Sequence, residues 1–271
     1  MKKILTTLLG LLLLTGASFA QVSAKDGVYF AEDQTYAETG WKEQVVVKVA
    51  GGKIVAVNYN GVSNLGIQDK KTVAAAGGYG MIKASKIKLE WHQQAQNLEK
   101  YLLQTQDVAF AKIKADGTTD AITGATFHVG NFFKLLKKAL ASAPVPKGVY
   151  AKDGWFFAEQ PEFDARTGWK DNVLITVVNG TVVDAVWNAV NNDTKLKSKL
   201  IEAIAGRYGL AKVSKIGEWN VQAEKVEAAL VKVQDPAKIP VKADGTTDAI
   251  SGATIHVTAV SLAARALQAA R

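Results

Sequence analysis

Two threonines, Thr126 and Thr254, close nearly identical runs: Asp120-Ala121-Ile122-Thr123-Gly124-Ala125-Thr126 and Asp248-Ala249-Ile250-Ser251-Gly252-Ala253-Thr254. An alcohol behind glycine and alanine is open to a bulky reactant, because those residues leave the backbone approachable. An apolar run follows each threonine, so the spacing places it in the first turn of a helix, with Thr123 and Ser251 as N-caps. Free amides and the helix dipole favour an anion there, so a phosphate at Thr126 needs no lysine. Asp120 and Asp248 are out of place in an anion site, since a carboxylate repels phosphate unless a cation or proton lies between them. Their chemistry belongs to the modification of the hydroxyl, by steering a metal ion or activating the alcohol. The plain alternative is a pair of ordinary N-caps.

The repetition reaches further. Lys114 to Thr126 returns as Lys242 to Thr254 with one change, Thr123 to Ser251. The same offset, 128 residues, links Thr39-Gly40-Trp41-Lys42 to Thr167-Gly168-Trp169-Lys170, Glu90-Trp91 to Glu218-Trp219, and Gln94-Ala95 to Gln222-Ala223. Tyr79-Gly80 matches Tyr208-Gly209 after a small insertion. Core packing preserves only hydrophobic pattern, whereas glycines and polar residues kept letter for letter point to a site. Recent duplication alone does not account for it, because Val62 to Lys70 barely resembles Val190 to Ser198. The chain reads as two homologous domains, 25–143 and 148–271, joined by a stiff Pro-containing linker at 144–147.

Val45–Val49 and Ile54–Tyr59 around Gly51-Gly52, and Val173–Val178 and Thr181–Trp187 around Asn179-Gly180, predict β-hairpins. Helices are expected over 71–84, 195–205, from Glu90 to Gln104 with its counterpart, and after each threonine. Strands before helices give an α+β class, each domain an antiparallel sheet packed with helices. No Gly-x-Gly-x-x-Gly joins a strand to a helix, so a dinucleotide fold has no support.

Residues 1–20 have the three parts of a secretory signal: Lys2 and Lys3, an apolar stretch from Ile4 to Leu14, and small residues around Ser18 and Ala20. A periplasmic or secreted protein is expected. There are no cysteines, which excludes disulfides, iron–sulfur ligation and a lipid anchor on cysteine. The formal charge of +8 is mild, and export argues against nucleic acid. Lys195, Lys197 and Lys199 read as a solvated helix face.

The Asp-x-x-Ser/Thr-Gly-Ala-Thr string resembles the covalent flavinylation motif of the FMN-binding domain family. With Thr-Gly-Trp, Tyr-Gly and Glu-Trp-x-x-Gln-Ala, the resemblance covers Lys25 to Arg271. It implies a tandem extracellular electron-transfer flavoprotein. In that family a flavin transferase uses FAD and Mg²⁺ to join FMN through its phosphate to the last threonine. Here that implies two FMN groups, on Thr126 and Thr254, with Asp120 and Asp248 needed for the transfer. The implied partners are a membrane-bound respiratory donor and an extracytoplasmic acceptor, and the protein is a carrier rather than an enzyme. Lipoprotein members of that family carry a cysteine that this chain lacks.

Trp41, Trp91, Trp169 and Trp219 are candidates to stack on the flavin ring or to fill the core, and Tyr79 and Tyr208 to line the cofactor or a turn. His128 and His256 lie two residues past the threonines, whereas His92 is replaced by Asn220. No metal-ligand spacing or Ser/His/Asp pattern recurs in both halves. Two rivals remain: a flavin-dependent periplasmic reductase with its own substrate, and a non-redox module that binds an anion at the helix N-termini.

Overall fold

The computed structural model describes residues 22–271; the expected export segment, residues 1–20, lies outside them. In each half, alternating β-branched residues form a three-stranded antiparallel meander. In the first half β1 (Gly27–Glu32) pairs with β2 (Trp41–Ala50), and β2 with β3 (Lys53–Ser63). In the second half β4 (Gly154–Glu159), β5 (Trp169–Val178) and β6 (Thr181–Asn191) repeat that order. Both expected hairpins turn on two residues of positive φ, Gly51-Gly52 and Asn179-Gly180, as a type I′ turn demands. Each middle strand is irregular at the same place, between Lys48 and Val49 and between Thr176 and Val177.

The helices depart from expectation at their ends. The stretch 71–84 is two short helices, α1 (Lys70–Ala75) and α2 (Met81–Ala84), because Gly77 takes a left-handed φ of 78° between them. The long helix α3 (Trp91–Thr105) starts where a capping box closes: the Glu90 side chain bonds the helix amides and Gln93 bonds back to Glu90. The next, α4, runs Gly130–Leu140. In the second half α5 (Lys199–Ile204) begins at Lys199 rather than Lys195, since Ser198 caps it by accepting from Ile201 N. A 3₁₀ turn, Leu210–Lys212, replaces α2, and α6 (Trp219–Val233) and α7 (Thr258–Ala266) complete the copy.

Each sheet gives one face to its own helices. Val45, Val47 and Tyr59 join Leu98, Phe132 and Leu136 in the first core; Val173, Ile175 and Trp187 join Trp219, Val226 and Val260 in the second. The opposite faces meet, with Val62 against Leu174 and Val186, flanked by Tyr36, Trp155 and Phe157. The layers are helix, sheet, sheet, helix.

Most polar groups in that seam are paired, Asn64 Oδ1 being a buried exception among the described residues. Gln44 Oε1 accepts from Trp155 Nε1 at 2.6 Å and Thr176 Oγ1 at 3.2 Å, while its Nε2 donates to Asp184 at 2.7 Å and Glu32 at 2.9 Å. Lys42 lies 3.0 Å from Glu32 and 3.4 Å from Asp184. Burial opposes its charge, but the two carboxylates hold its ammonium above the ordinary lysine value. The linker is pinned to both halves: Val145 N donates to Val28 O at 2.7 Å, and Asn179 Nδ2 donates to Val145 O at 2.8 Å.

Candidate functional site

The duplicated phrase folds into one loop, bond for bond. Lys114 N donates to Thr118 O at 2.8 Å and Gly117 N to Lys114 O at 2.9 Å; Lys242, Thr246 and Gly245 repeat both bonds at the same distances. Asp116 Oδ1 accepts from the amide and hydroxyl of Thr118, as Asp244 does from Thr246. Those two donors hold the Asp116 carboxyl below the usual aspartate range. Thr119 Oγ1 donates to Lys112 O and Thr247 Oγ1 to Pro240 O, both at 2.6 Å. Much of the repeated spelling is therefore a folding requirement of the loop.

Helix α4 starts at Gly130 and α7 at Thr258, so each threonine stands four residues ahead of its helix. Thr123 and Ser251 are not N-caps, and the helix-dipole argument for an anion at Thr126 fails. Ile122 O accepts from Ala125 N at 3.3 Å, closing a turn around Thr123 and Gly124, with Gly124 at φ 78°. This is the position at which a type II turn takes glycine, and Gly252 repeats it. What approaches Gly124 in the structure is Asn97 of α3: a Cβ there would lie 2.3 Å from Asn97 Nδ2. Ile122 and Ala125, with Ile250 and Ala253, bury their side chains in the two cores and anchor the turn.

Past the turn, Thr126 is exposed but held. Gln94 Oε1 accepts its amide at 2.7 Å and its hydroxyl at 3.0 Å. Gln222 Oε1 does the same for Thr254 at 2.8 and 3.1 Å. Both glutamines are 0% exposed. Their amide orientation is fixed from the other end, where Gln94 Nε2 donates to Leu89 O and Ser85 Oγ, and Gln222 Nε2 to Ser214 Oγ. The hydroxyl proton thus points inward, leaving lone pairs of Oγ1 toward solvent. The duplicated Gln-Ala pairs signal these glutamines in the sequence, but their role emerges only from the fold.

Asp120 and Asp248 are exposed, each 2.6 Å from a loop lysine, Lys114 or Lys242. Those carboxylates raise the lysines above their ordinary value. Among the described residues no group of three or more His, Cys, Asp or Glu side chains is placed to hold a metal ion. His128 and His256 are exposed and lie against Gly117 and Gly245.

The tryptophans and tyrosines converge on a residue that sequence reasoning missed. Lys70 Nζ lies 5.6, 5.2 and 4.3 Å from the ring centres of Trp41, Tyr79 and Trp91. Lys199 Nζ lies 5.5, 5.8 and 5.2 Å from Trp169, Tyr208 and Trp219. Each ammonium is neutralised by one carboxylate, Glu43 at 2.9 Å and Asp171 at 2.6 Å. The reading of Lys199 as part of a solvated face is thus corrected: it is 6% exposed, while Lys195 and Lys197 are exposed. The four tryptophans are themselves buried. The Tyr-Gly loops are tied to the same place, because Glu90 accepts from Met81 N and Ile82 N, and Glu218 from Gly209 N and Leu210 N. Burial pushes the Glu90 carboxyl up, but its backbone donors hold it below the usual glutamate value.

The copies differ behind this site. Glu99 accepts from Tyr59 N and from Lys71 Nζ, each at 2.6 Å. Glu227 accepts from Trp187 N at 2.7 Å, but Leu200 stands where Lys71 does. Burial pushes the Glu227 carboxyl up to about 8.

No protein-family model matches the chain, and no curated protein matches it. It is similar to a protein from Clostridium thermocellum solved by solution NMR: 44% identity over 45% of this chain and 95% of that one, TM-score 0.35. It is also similar to the CPE2226 protein from Clostridium perfringens, a crystal structure: 29% identity over 43% of this chain and 86% of that one, TM-score 0.33.

Proposed function

We propose that the protein is an exported electron carrier bearing one covalent FMN on Thr126 and one on Thr254. The observation that supports this best is the hold on the two hydroxyls. A fully buried glutamine is spent in each domain on presenting an exposed threonine, with the same bonds in both copies. Burying a polar amide costs free energy unless it is fully bonded, so the arrangement serves presentation rather than the core.

In the attachment step, a flavin transferase supplies FAD and Mg²⁺. The Oγ1–phosphorus bond forms on the FMN phosphate, the pyrophosphate bond of FAD breaks, AMP leaves, and the hydroxyl proton passes to solvent. Gln94 and Gln222 orient the alcohol, and exposed Asp120 and Asp248 supply the carboxylate that meets the transferase's metal. Once attached, the isoalloxazine supplies the electron chemistry, and the ester keeps it from being lost outside the cell. Electrons come from a membrane-bound respiratory donor and leave to an extracytoplasmic acceptor, so the protein relays them without a substrate of its own.

The test is intact mass after co-expression with a flavin transferase. Two additions of FMN less water are expected, one lost in Thr126→Ala and the other in Thr254→Ala. A protein that stays at its unmodified mass beside a transferase shown to be active on another acceptor overturns the proposal.

A further inference from the structure

We propose that Lys70 and Lys199 are positioning residues that tune the redox group on the neighbouring threonine, by holding an ammonium, paired with Glu43 or Asp171, among the buried rings behind it. This rests on the flavin reading above. Those rings and the threonine are parts of one unit. Trp91 and Gln94 lie one turn apart on α3, and Phe127, next to Thr126, has its ring 6.0 Å from Trp91 and 6.2 Å from Tyr59. In the second domain Ile255, next to Thr254, packs on the core that contains Trp219.

Each lysine is held from its backbone. Asn60 Oδ1 accepts from Lys71 N, and Asn188 Oδ1 from Leu200 N, both at 2.9 Å, fixing the first turns of α1 and α5. A buried lysine–carboxylate pair is seldom needed for stability, since an apolar residue of similar volume does as well. Its surroundings have changed between the copies: Glu43 to Asp171, Tyr59 to Trp187, Lys71 to Leu200, Asn131 to Ala259. The lysine, its carboxylate and three rings persist in both. A retained charge amid changed packing points to electrostatics. Reduction places negative charge on a flavin, and a cation in a water-poor aromatic setting favours that state.

The experiment is a reductive titration against reference dyes, on protein flavinylated only at Thr126 by use of the Thr254→Ala background. Lys70→Met should lower the reduced-to-oxidised ratio at fixed potential about tenfold, ~30 mV for a two-electron couple. Lys70→Arg should stay near the parent, and Glu43→Gln should move the ratio the other way. Structural damage would move Lys70→Met and Glu43→Gln together, so equal-sign shifts, or no shift in Lys70→Met, overturn the proposal. Lys199→Met in the Thr126→Ala background is the independent second arm, with the same expected loss. Absence of the flavin mass from the parent overturns the underlying reading, before any titration.

Discussion

Replacing Gly124 by alanine meets two separate costs. Its φ of 78° lies in the left-handed region, worth about 1–2 kcal/mol for an L side chain. The added Cβ would also lie 2.3 Å from Asn97 Nδ2, which donates to Gly124 O at 3.0 Å. Asn97 must withdraw and lose that bond, worth about 0.5–1.5 kcal/mol. G124A should therefore cost about 2–3 kcal/mol. Gly252 has the same φ, but there the new Cβ meets Cδ and Cε of Lys225 at 2.8 Å, on a flexible stem that can swing aside. G252A should cost only the backbone share, about 1–2 kcal/mol. Urea midpoints measure the difference; in melting temperature it corresponds to about 2–4 °C per kcal/mol for a protein of this size. Asn97→Ala removes the blocking amide, so the Asn97→Ala/Gly124→Ala pair should cost about 1 kcal/mol less than the two single changes together. The duplication supplies a functional control within each molecule: after co-expression with transferase, G124A should lower occupancy at Thr126 relative to Thr254 in peptide maps. Equal costs for G124A and G252A, with additive Asn97→Ala, would refute the steric reasoning. Unchanged relative occupancy would refute the claim that this turn presents the threonine.

Asp120→Asn should abolish the flavin mass at Thr126 and leave Thr254 loaded, whereas Lys114→Ala, which removes only an exposed partner, should leave both loaded; peptide mapping reads each. Gln94→Leu should slow loading of Thr126 at least tenfold in a time course, since amide and hydroxyl lose their shared acceptor. Glu227 has its carboxyl raised to about 8 in the fold and ordinary in the unfolded chain, so the folded state keeps a proton that the unfolded state releases. Its contribution is fully present below about pH 4.3, falls as pH rises toward 8, and is lost above that; Glu227→Gln should flatten this part of the stability–pH curve. Gln44→Leu should cost about 2–4 kcal/mol by leaving Trp155, Thr176, Asp184 and Glu32 each short of a partner, and Trp155 fluorescence should report the loosened seam.

The hairpins and long helices were legible because their signals are local: alternating Val and Ile, Asn179-Gly180 at a turn, and apolar residues at helical spacing from Trp91 to Leu102. The strands β1 and β4 were not, although Val28, Tyr29 and Phe30, and Trp155, Phe156 and Phe157, favour strands: six residues with no turn signal of their own are too short a pattern, and pairing with β2 or β5 decides them. The helix starts at Gly130 and Thr258 were misplaced because Thr123 and Ser251 imitate caps, while the helices begin without any side-chain cap. Letter-for-letter repetition found the loop but could not separate Asp116, Gly117 and Thr119, which fold it, from Asp120 and Thr126, which it presents. Lys70 and Lys199 were hidden for a different reason. A lysine at a helix start reads as solvated, and only tertiary packing places three rings around it.

The cap of α5 reaches across the seam. Ser198, whose side chain starts the helix that carries Lys199, also donates its hydroxyl to Asn64 O, and Asn188 Nδ2 donates to the same carbonyl at 2.8 Å. Asn172, beside Asp171, donates to Gly66 O at 3.1 Å. The second domain thus borrows backbone from the first to complete its own site. Cut free at the linker, it would lose acceptors for three side chains around its caged cation. The two halves are therefore tied by side chains that fix the surroundings of Lys199, as well as by the linker.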